Sequence, residues 1–124
     1  KECGVGIAAN DQNWVSSVSG GSSGKEVDKI KVLEELGVKF YKAKKINVLM
    51  VKGAAMSAEC KVVKVIDLGD HTMFVGEVVE ISANEKQPLV YYGEKYWNVG
   101  ERIQKPQQEF LDKISKLMDK HKKS

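Results

Sequence analysis

The chain has 124 residues, of which 42% are hydrophobic and 30% are charged. That length suits one domain with a single modest core, and the composition is typical of a folded globular protein rather than a disordered chain. A net charge of +3 is too small to indicate a nucleic-acid partner, and the absence of any apolar run near the roughly 20 residues of a membrane helix indicates no membrane partner.

The first predicted element is a short strand, because apolar residues alternate at Cys3, Val5 and Ile7. The pattern breaks into a turn at Asn10-Asp11, and a loop or a first helical turn follows around Trp14. No partner for this strand is visible upstream in the sequence, which predicts an edge strand.

The two cysteines, Cys3 and Cys60, lie far apart in the sequence and form no CxxC motif. We expect both to be reduced thiols, with Cys60 as a small buried hydrophobic residue in a strand. No basic-then-apolar leader opens the sequence, so we expect a cytoplasmic protein.

A helix is predicted over residues 24–36, directly after the glycine- and serine-rich segment 19–24. Its apolar positions recur at about 3.6-residue spacing. Gly37 suits the C′ position, and Ser22 or Ser23 can cap the N-terminus.

The start of this helix is a candidate phosphate site. Free backbone N–H groups and the positive helix end both favour an anion, and Lys25 lies in the expected first turn. The segment is not a Walker A loop, because Glu26 follows the lysine where serine or threonine is required. Glycine- and serine-rich loops are more commonly plain connectors.

Short strand-like runs follow at residues 38–43 and 46–51, separated by Lys44-Lys45. Residues 53–57 are small and apolar and predict a turn or a brief helical crossing. A further strand is expected over residues 58–66.

Residues 61–83 predict two antiparallel strands joined at a polar corner, residues 67–71. Val62 followed directly by Val63 breaks strict alternation, which indicates either a bulge or a strand buried on both faces. Gly76 has no side chain to pack inside the second strand, so it indicates a bulge or a close approach by another backbone or a flat ligand.

Residues 89–92 and 95–100 predict an aromatic hairpin with a type II′ turn at Gly93-Glu94. Its aromatic side chains could form a stacking surface for a flat ring. Core or cross-strand pairs are the commoner use of such residues.

The last segment, residues 106–124, predicts an amphipathic helix with Pro106 at the N1 position. We expect its apolar face to pack on the preceding domain. Its lysine-rich face would either bind a membrane or a partner, or be a simple solvated face, which is the commoner case.

Side chains alone offer little catalytic chemistry. Two histidines, one of them in the C-terminal tail, and two isolated cysteines do not make a zinc or copper site, so we expect no metal. The GxSxG, HExxH and GxGxxG motifs are absent. An organic redox cofactor, which brings its own reactivity, is therefore the main route to an enzyme. Asp67 and Asp70 flank His71 and could orient its imidazole, although an aspartate-rich corner is also ordinary turn chemistry.

Four segments together resemble the flavin reductase-like family, FMN-binding split barrels that include the flavoredoxins. GDHTMFVGEV is similar to the family's GDHxxFxGEV stretch, which is fairly specific. SSGKEVDKI, AECKVV and PLVYYGEKYWNVG resemble the family's SGR/KDVDKF, LECKVV and PLLYYxxKYxxLG stretches. In order and spacing the likeness covers about residues 4–100.

This resemblance implies a mainly β fold with helices (α+β): a split β-barrel of the FMN-binding type that lacks its N-terminal strands, plus a C-terminal helix. Residues 1–105 would form the partial split-barrel domain and residues 106–124 the helix. The resemblance also implies a homodimer with FMN near the dimer interface. The barrel edge left open by the absent strands predicts that the chain dimerises or swaps elements to cover it.

The resemblance also implies a set of site residues. His71 would be catalytic by helping to position the flavin ring or a docked nicotinamide, and Lys25 would offset phosphate charge. The implied cofactor-binding residues are Ser22, Ser23, Gly24, Lys25, Asp70, His71, Tyr92 and Tyr96.

Two functions follow from the sequence. The first is an FMN-binding flavoprotein that transfers electrons from NAD(P)H, docked transiently, or from a redox carrier to flavin, iron or a protein partner. The alternative is a truncated, non-catalytic split-barrel subunit that serves dimerisation or protein interaction.

Overall fold

Seven strands and three helices follow one another along the described part of this computed structural model, residues 1–21 and 23–123. The strands are β1 (Glu2–Ile7), β2 (Phe40–Lys42), β3 (Leu49–Val51), β4 (Met56–Asp67), β5 (Thr72–Ala83), β6 (Val90–Tyr92) and β7 (Lys95–Trp97). The helices are α1 (Asn13–Gly20), α2 (Lys29–Glu35) and α3 (Gln108–Lys120).

The largest sheet contains three antiparallel strands in the order β1-β4-β5, so β1 is an edge strand as predicted. It pairs only with the first half of β4, from Ile7 opposite Met56 to Glu2 opposite Lys61. Because β4 and β5 pair as far as Asp67, they continue beyond Lys61 as a two-stranded ribbon. β2 with β3 and β6 with β7 form separate hairpins.

Two irregularities interrupt the long β4–β5 pair. The register shifts between Val62 and Lys64, which leaves Val63 as an extra residue. Of the two predicted alternatives, the structure therefore has the bulge and not a strand buried on both faces. A second shift at residues 59–60 places the extra residue in β5, at Val79. The sequence pattern did not predict this second bulge.

Gly76 lies next to the first bulge, opposite Val62. A Cβ at this position would lie 3.1 Å from the Cβ of Cys60, which is tighter than ordinary van der Waals contact, and 3.7 Å from its Sγ. The missing side chain therefore gives Cys60 its space. The predicted bulge thus lies beside this glycine on the partner strand, and the group close to the glycine is the Cys60 side chain rather than another backbone or a flat ligand.

The predicted polar corner is a tight turn between β4 and β5. The N–H of Leu68 donates to the carbonyl oxygen of His71 at 2.9 Å, and the N–H of Gly69 donates to Oδ1 of Asp67 at 3.0 Å. Gly69 has a φ of +84°, a left-handed conformation that glycine adopts without steric cost.

The core lies on one face of the sheet, beside the β2–β3 hairpin. Ala43, Ile46 and Met50 are buried together. The partly buried residues packed against them are Tyr41, Val48 and Val79.

β1 approaches this core through glycine rather than through its apolar side chains. A Cβ at Gly4 would overlap Sδ of Met50. Successive side chains of a strand alternate between faces, so Cys3, Val5 and Ile7 point the other way, and the last two are 44% and 41% exposed. The apolar alternation predicted the strand correctly, but the core meets its opposite face.

Glu59 is a buried carboxylate on the central strand, 4% exposed. Its oxygens accept the backbone N–H groups of Lys44 at 3.0 Å and Lys45 at 2.6 Å, in the loop between β2 and β3. Burial by itself raises the pKa of Glu59, but the loop N–H groups outweigh burial and hold the pKa below its ordinary value near 4.5. The side chain thereby ties the loop that carries Ala43 and Ile46 to the sheet.

Helix α2 is shorter than predicted. It begins at Lys29 rather than at residue 24, because Asp28, not a serine, is the N-cap: its Oδ1 accepts the N–H of Lys31 at 3.2 Å. The predicted C-terminus is confirmed, since Gly37 follows the helix with a φ of +97°.

Two further predicted details are wrong. The central residues of the β6–β7 turn, Gly93 and Glu94, have φ values of +59° and +62°, which makes the turn type I′ rather than type II′. Helix α3 begins at Gln108 with Gln107 as N-cap, so Pro106 precedes the N-cap instead of occupying N1.

The predicted C-terminal helix is present as α3, but its apolar face is uncovered in this chain. None of the residues 108–120 is buried, and Phe110 and Met118 are 54% and 70% exposed. Among the described residues the helix therefore buries no side chain, and the expected packing of residues 106–124 on the domain stays a prediction.

Gly4→Ala should destabilise the fold, with Gly6→Ala on the same strand as its matched control. The added methyl group at position 4 would press on buried Met50, and overpacking of this kind costs about 1–3 kcal/mol. The atom nearest to a Cβ at Gly6 lies 3.9 Å away, so Gly6→Ala should instead stabilise by about 0.4–1 kcal/mol by restricting the unfolded chain. Denaturant unfolding measures both changes, and equal changes in the two variants would contradict this packing.

Glu59→Gln should lower the melting temperature at pH 7 and weaken its dependence on pH. The folded pKa of Glu59 lies below the unfolded value near 4.5, so the carboxylate stabilises the fold fully above that value and loses its effect as the pH falls through the folded pKa. Thermal unfolding of wild type and variant should therefore converge on acidification. Glu77→Gln, at an exposed carboxylate on β5, is the control. Parallel pH curves for wild type and Glu59→Gln would count against this role.

Candidate functional site

Residues 23–26 form a turn before α2. The N–H of Lys25 donates to Oγ of Ser23 at 3.2 Å, and the N–H of Glu26 donates to the carbonyl oxygen of Ser23 at 3.1 Å. Ser23, Gly24 and Lys25 are all exposed. Ser22, which the sequence also placed at the cofactor, lies outside the described residues.

The predicted phosphate cradle at the start of this helix is not formed as expected. Lys25 lies four residues before α2 begins at Lys29, so it is not in the first helical turn. The Asp28 side chain already accepts the N–H of Lys31, which places a carboxylate where the phosphate was expected. A role for Lys25 toward phosphate stays a prediction.

A groove between α1 and the β6–β7 hairpin brings together two of the predicted regions. We call it the α1–hairpin groove, and its volume is about 590 Å³. One side belongs to α1 and the start of the glycine- and serine-rich segment, and the other to the aromatic hairpin. Its lining residues are Ala8, Ser16, Ser17, Gly20, Gly21, Leu89, Tyr91 and Tyr96.

Two contacts from the chain segment before α1 position this groove. The buried Gln12 side chain accepts the N–H of Ala9 at 2.9 Å and donates to the carbonyl oxygen of Lys52 at 3.2 Å, which fixes the start of α1 against the end of β3. The N–H of Leu89 donates to the carbonyl oxygen of Ala8 at 2.8 Å, which fixes the beginning of the β6–β7 hairpin beside the same segment.

Tyr96 is the predicted site residue that this groove contains. Hydrogen bonds from the Ser16 hydroxyl, which has the larger effect, and from the Ser17 hydroxyl lower the pKa of Tyr96. They do so because they stabilise the deprotonated phenolate form of the side chain. The rings of Tyr91 and Tyr96 lie 5.1 Å apart at an angle of 51°. Sequence reasoning missed both serines, since it treated the residues around Trp14 as a loop or a single helical turn.

Tyr92 is separated from Tyr96 by the pleat of the hairpin. Tyr91 pairs with Tyr96 across the two strands, and directly opposed residues share a face, so Tyr92 points to the other face. It is 75% exposed. The structure therefore brings Tyr91, rather than the predicted Tyr92, into the groove.

Asp70 and His71 lie at the far tip of the β4–β5 ribbon. Oδ1 of Asp70 is 3.0 Å from Nδ1 of His71, and the two side chains are 89% and 82% exposed. His71 lines neither the α1–hairpin groove nor the surface along residues 24–30. Within one chain the predicted catalytic imidazole thus lies beside Asp70 but is not assembled with the predicted site residues of the α1–hairpin groove or of residues 23–25.

Residues 1–100 match the flavin reductase like domain, and the chain belongs to that family. An NADH-dependent flavin reductase from Rhodococcus sp is 32% identical over 89 residues, covering 72% of this chain and 44% of that protein. A protein of uncharacterised function from Archaeoglobus fulgidus is 32% identical over 89 residues, covering 66% of this chain and 46% of that protein. The chain spans about half the length of these relatives.

Solved structures give the same fold. The flavin reductase PheA2 superposes with a TM-score of 0.64 at 31% identity, over 82% of this chain and 59% of that chain. An FMN-binding protein from Thermus thermophilus superposes with a TM-score of 0.70 at 25% identity, over 85% of this chain and 62% of that chain. The predicted flavin reductase-like fold with a C-terminal helix is confirmed. Among the described residues, no helix is both long and apolar enough to span a membrane.

Proposed function

We propose that this chain is an FMN-binding flavoprotein domain that transfers electrons from NAD(P)H or a redox carrier to flavin, iron or a protein partner. Membership of the flavin reductase like family supports a flavin, and the Thermus thermophilus neighbour is an FMN-binding protein. The Rhodococcus relative is an NADH-dependent flavin reductase, which supports a nicotinamide donor. The observation that carries the proposal is the α1–hairpin groove.

The groove offers the groups that a flat ring with polar edges requires. The hydroxyls of Ser16 and Ser17 can donate and accept hydrogen bonds, Gly20 and Gly21 allow a ligand to approach the backbone closely, and Tyr96 supplies an aromatic surface. The groove volume of about 590 Å³ lies within the range of cofactor sites, about 300–1,000 Å³. These residues fit a flavin ring, which supplies the redox chemistry when bound, while the chain binds and orients it.

The glycine- and serine-rich segment connects this groove to Lys25. Gly20 and Gly21 line the groove, and Ser23, Gly24 and Lys25 follow within a few residues. A phosphate attached to a ring in the groove would lie along this segment, where the lysine ammonium would offset its charge. The N–H groups of residues 23–24 would be its hydrogen-bond donors.

Asp70 and His71 take part in this proposal through a second copy of the chain. Among the described residues the ribbon has no third strand beyond Val62, whose N–H makes the last backbone contact with this edge by donating to the carbonyl oxygen of Lys1 at 2.8 Å. Two-stranded ribbons are marginally stable alone, and Val63 and Val65 on this one are 63% and 54% exposed. We propose that a second copy of the chain covers the ribbon. The tip of the ribbon then places His71 of one copy beside the flavin or a docked nicotinamide of the other copy.

Absorbance titration with FMN tests the cofactor and its site. Wild type should show flavin absorbance as purified or after FMN is added. Lys25→Ala should weaken FMN binding about tenfold, since a hydrogen bond to a charged group contributes about 1.5–3 kcal/mol and 1.4 kcal/mol corresponds to a tenfold change. His71→Ala should also weaken binding, whereas Lys116→Ala, on α3 outside the family match, should not. Wild-type affinity in both Lys25→Ala and His71→Ala would overturn the site assignment.

Analytical ultracentrifugation tests the second copy. Wild type should sediment as a dimer at micromolar concentration, and Val65→Glu should shift it toward monomer, because a carboxylate cannot be buried without a partner. Lys64→Gln, which removes the positive charge of the neighbouring exposed side chain, should leave the dimer intact. A wild-type monomer at that concentration would refute the proposed assembly.

A second candidate function is a non-catalytic subunit that serves dimerisation or protein interaction. The observation that favours it is the exposed apolar surface of the β4–β5 ribbon at Val63 and Val65, which a second protein surface would cover. The same experiments separate the two candidates. A dimer that takes up no FMN would support the second function and exclude the first.

A further inference from the structure

Cys3 and Cys60 lie directly opposite each other in the β1–β4 pair, although 56 residues separate them in the sequence. Opposed residues on antiparallel strands share a face and have Cα atoms about 4.5–5.5 Å apart. Disulfides join cysteines whose Cα atoms are about 4.4–6.8 Å apart. The backbone register therefore already meets the distance requirement of a disulfide, while both cysteines are free thiols in this structure.

The surroundings of the two sulfur atoms leave room for a bond. Cys60 is 5% exposed. Its burial raises the pKa of the Cys60 thiol, and the adjacent Cys3 thiol, which hydrogen-bonds to it, raises this pKa further. On the other side of Cys60 lies Gly76, whose missing side chain leaves the Sγ unobstructed. The Cys60 sulfur thus has Cys3 on one flank and the backbone of β5 on the other.

The two cysteines differ in access. Cys3 lies on the edge strand and is partly buried, so a small oxidant can reach it from the open side of β1. Cys60 lies on the central strand and is buried. In such a pair the accessible thiol reacts with the oxidant first, and the neighbouring thiol then forms a disulfide with the oxidised sulfur.

We propose that Cys3 and Cys60 are an oxidation site that forms a cross-strand disulfide on exposure to hydrogen peroxide. The Cys3 thiol releases its proton, its thiolate attacks one peroxide oxygen and the O–O bond breaks. The other oxygen leaves as hydroxide and takes up that proton to become water, which gives a sulfenic acid on Cys3. The Cys60 sulfur then attacks the Cys3 sulfur, the S–O bond breaks, and a second water carries away the Cys60 proton. Two electrons pass from the two thiols to the peroxide, and one S–S bond forms.

The bond would lock the edge strand to the centre of the sheet. β1 pairs with a single neighbour, so its detachment opens one side of the sheet. A covalent link that closes residues 3–60 into a loop restricts the unfolded chain and stabilises the fold. This inference does not depend on the proposed flavin function.

Peptide mapping without reduction tests the site. The full chain is treated with hydrogen peroxide, remaining free thiols are alkylated, and the protein is digested with trypsin. Residues 2–25 and 53–61 each contain one cysteine and end at a lysine, so the expected product is these two peptides joined by a disulfide. Oxidation should also raise the melting temperature, and dithiothreitol should reverse both changes.

Cys3→Ser and Cys60→Ala are the matched controls. Each should lose the linked peptide and the reversible rise in melting temperature, while the remaining cysteine is recovered alkylated or further oxidised. The proposal is overturned if oxidised wild type yields Cys60 as an alkylated thiol beside a Cys3 sulfinic or sulfonic acid. It is equally overturned if the only disulfide joins Cys3 residues of two chains, which a non-reducing gel reveals as a covalent dimer.

Discussion

The hydrogen bonds between the Glu59 carboxylate and the loop N–H groups of Lys44 and Lys45 are the contact on which the core depends. Buried backbone donors without partners cost free energy, and one side chain satisfies two of them here. Because Gly4 lies opposite Glu59 in the adjacent strand, the core-facing side of the sheet has room for the loop. The glutamate thereby holds Ala43 beside Met50 at the centre of the core.

The same sheet explains why the candidate site divides into two parts. The α1–hairpin groove is positioned by the hydrogen bonds of the Gln12 side chain and by the carbonyl oxygen of Ala8, which accepts the N–H of Leu89. The corner with His71 is held at the end of a ribbon that extends past the last residue paired with β1. Rigid backbone pairing separates the two regions within one chain, so a site that needs both requires a second copy.

Several apolar surfaces have no partner in the part of the chain that the structure describes. They are the ribbon around Val65, the outward face of β1 at Val5, and the apolar face of α3 at Met118. Exposed apolar patches of this kind mark contacts with other protein surfaces.

The sequence by itself determined the features that depend on neighbouring residues: the strand at β1, the turn at Gly69, the end of α2 at Gly37, and the motif series that identifies the family. Local backbone preference and residue order are sufficient for these. Only the tertiary structure decided which face of β1 meets the core, that Ser16 and Ser17 approach Tyr96, and that Cys3 lies opposite Cys60. Those relations depend on strand register and on glycine-permitted close approach between distant segments, which no local pattern encodes.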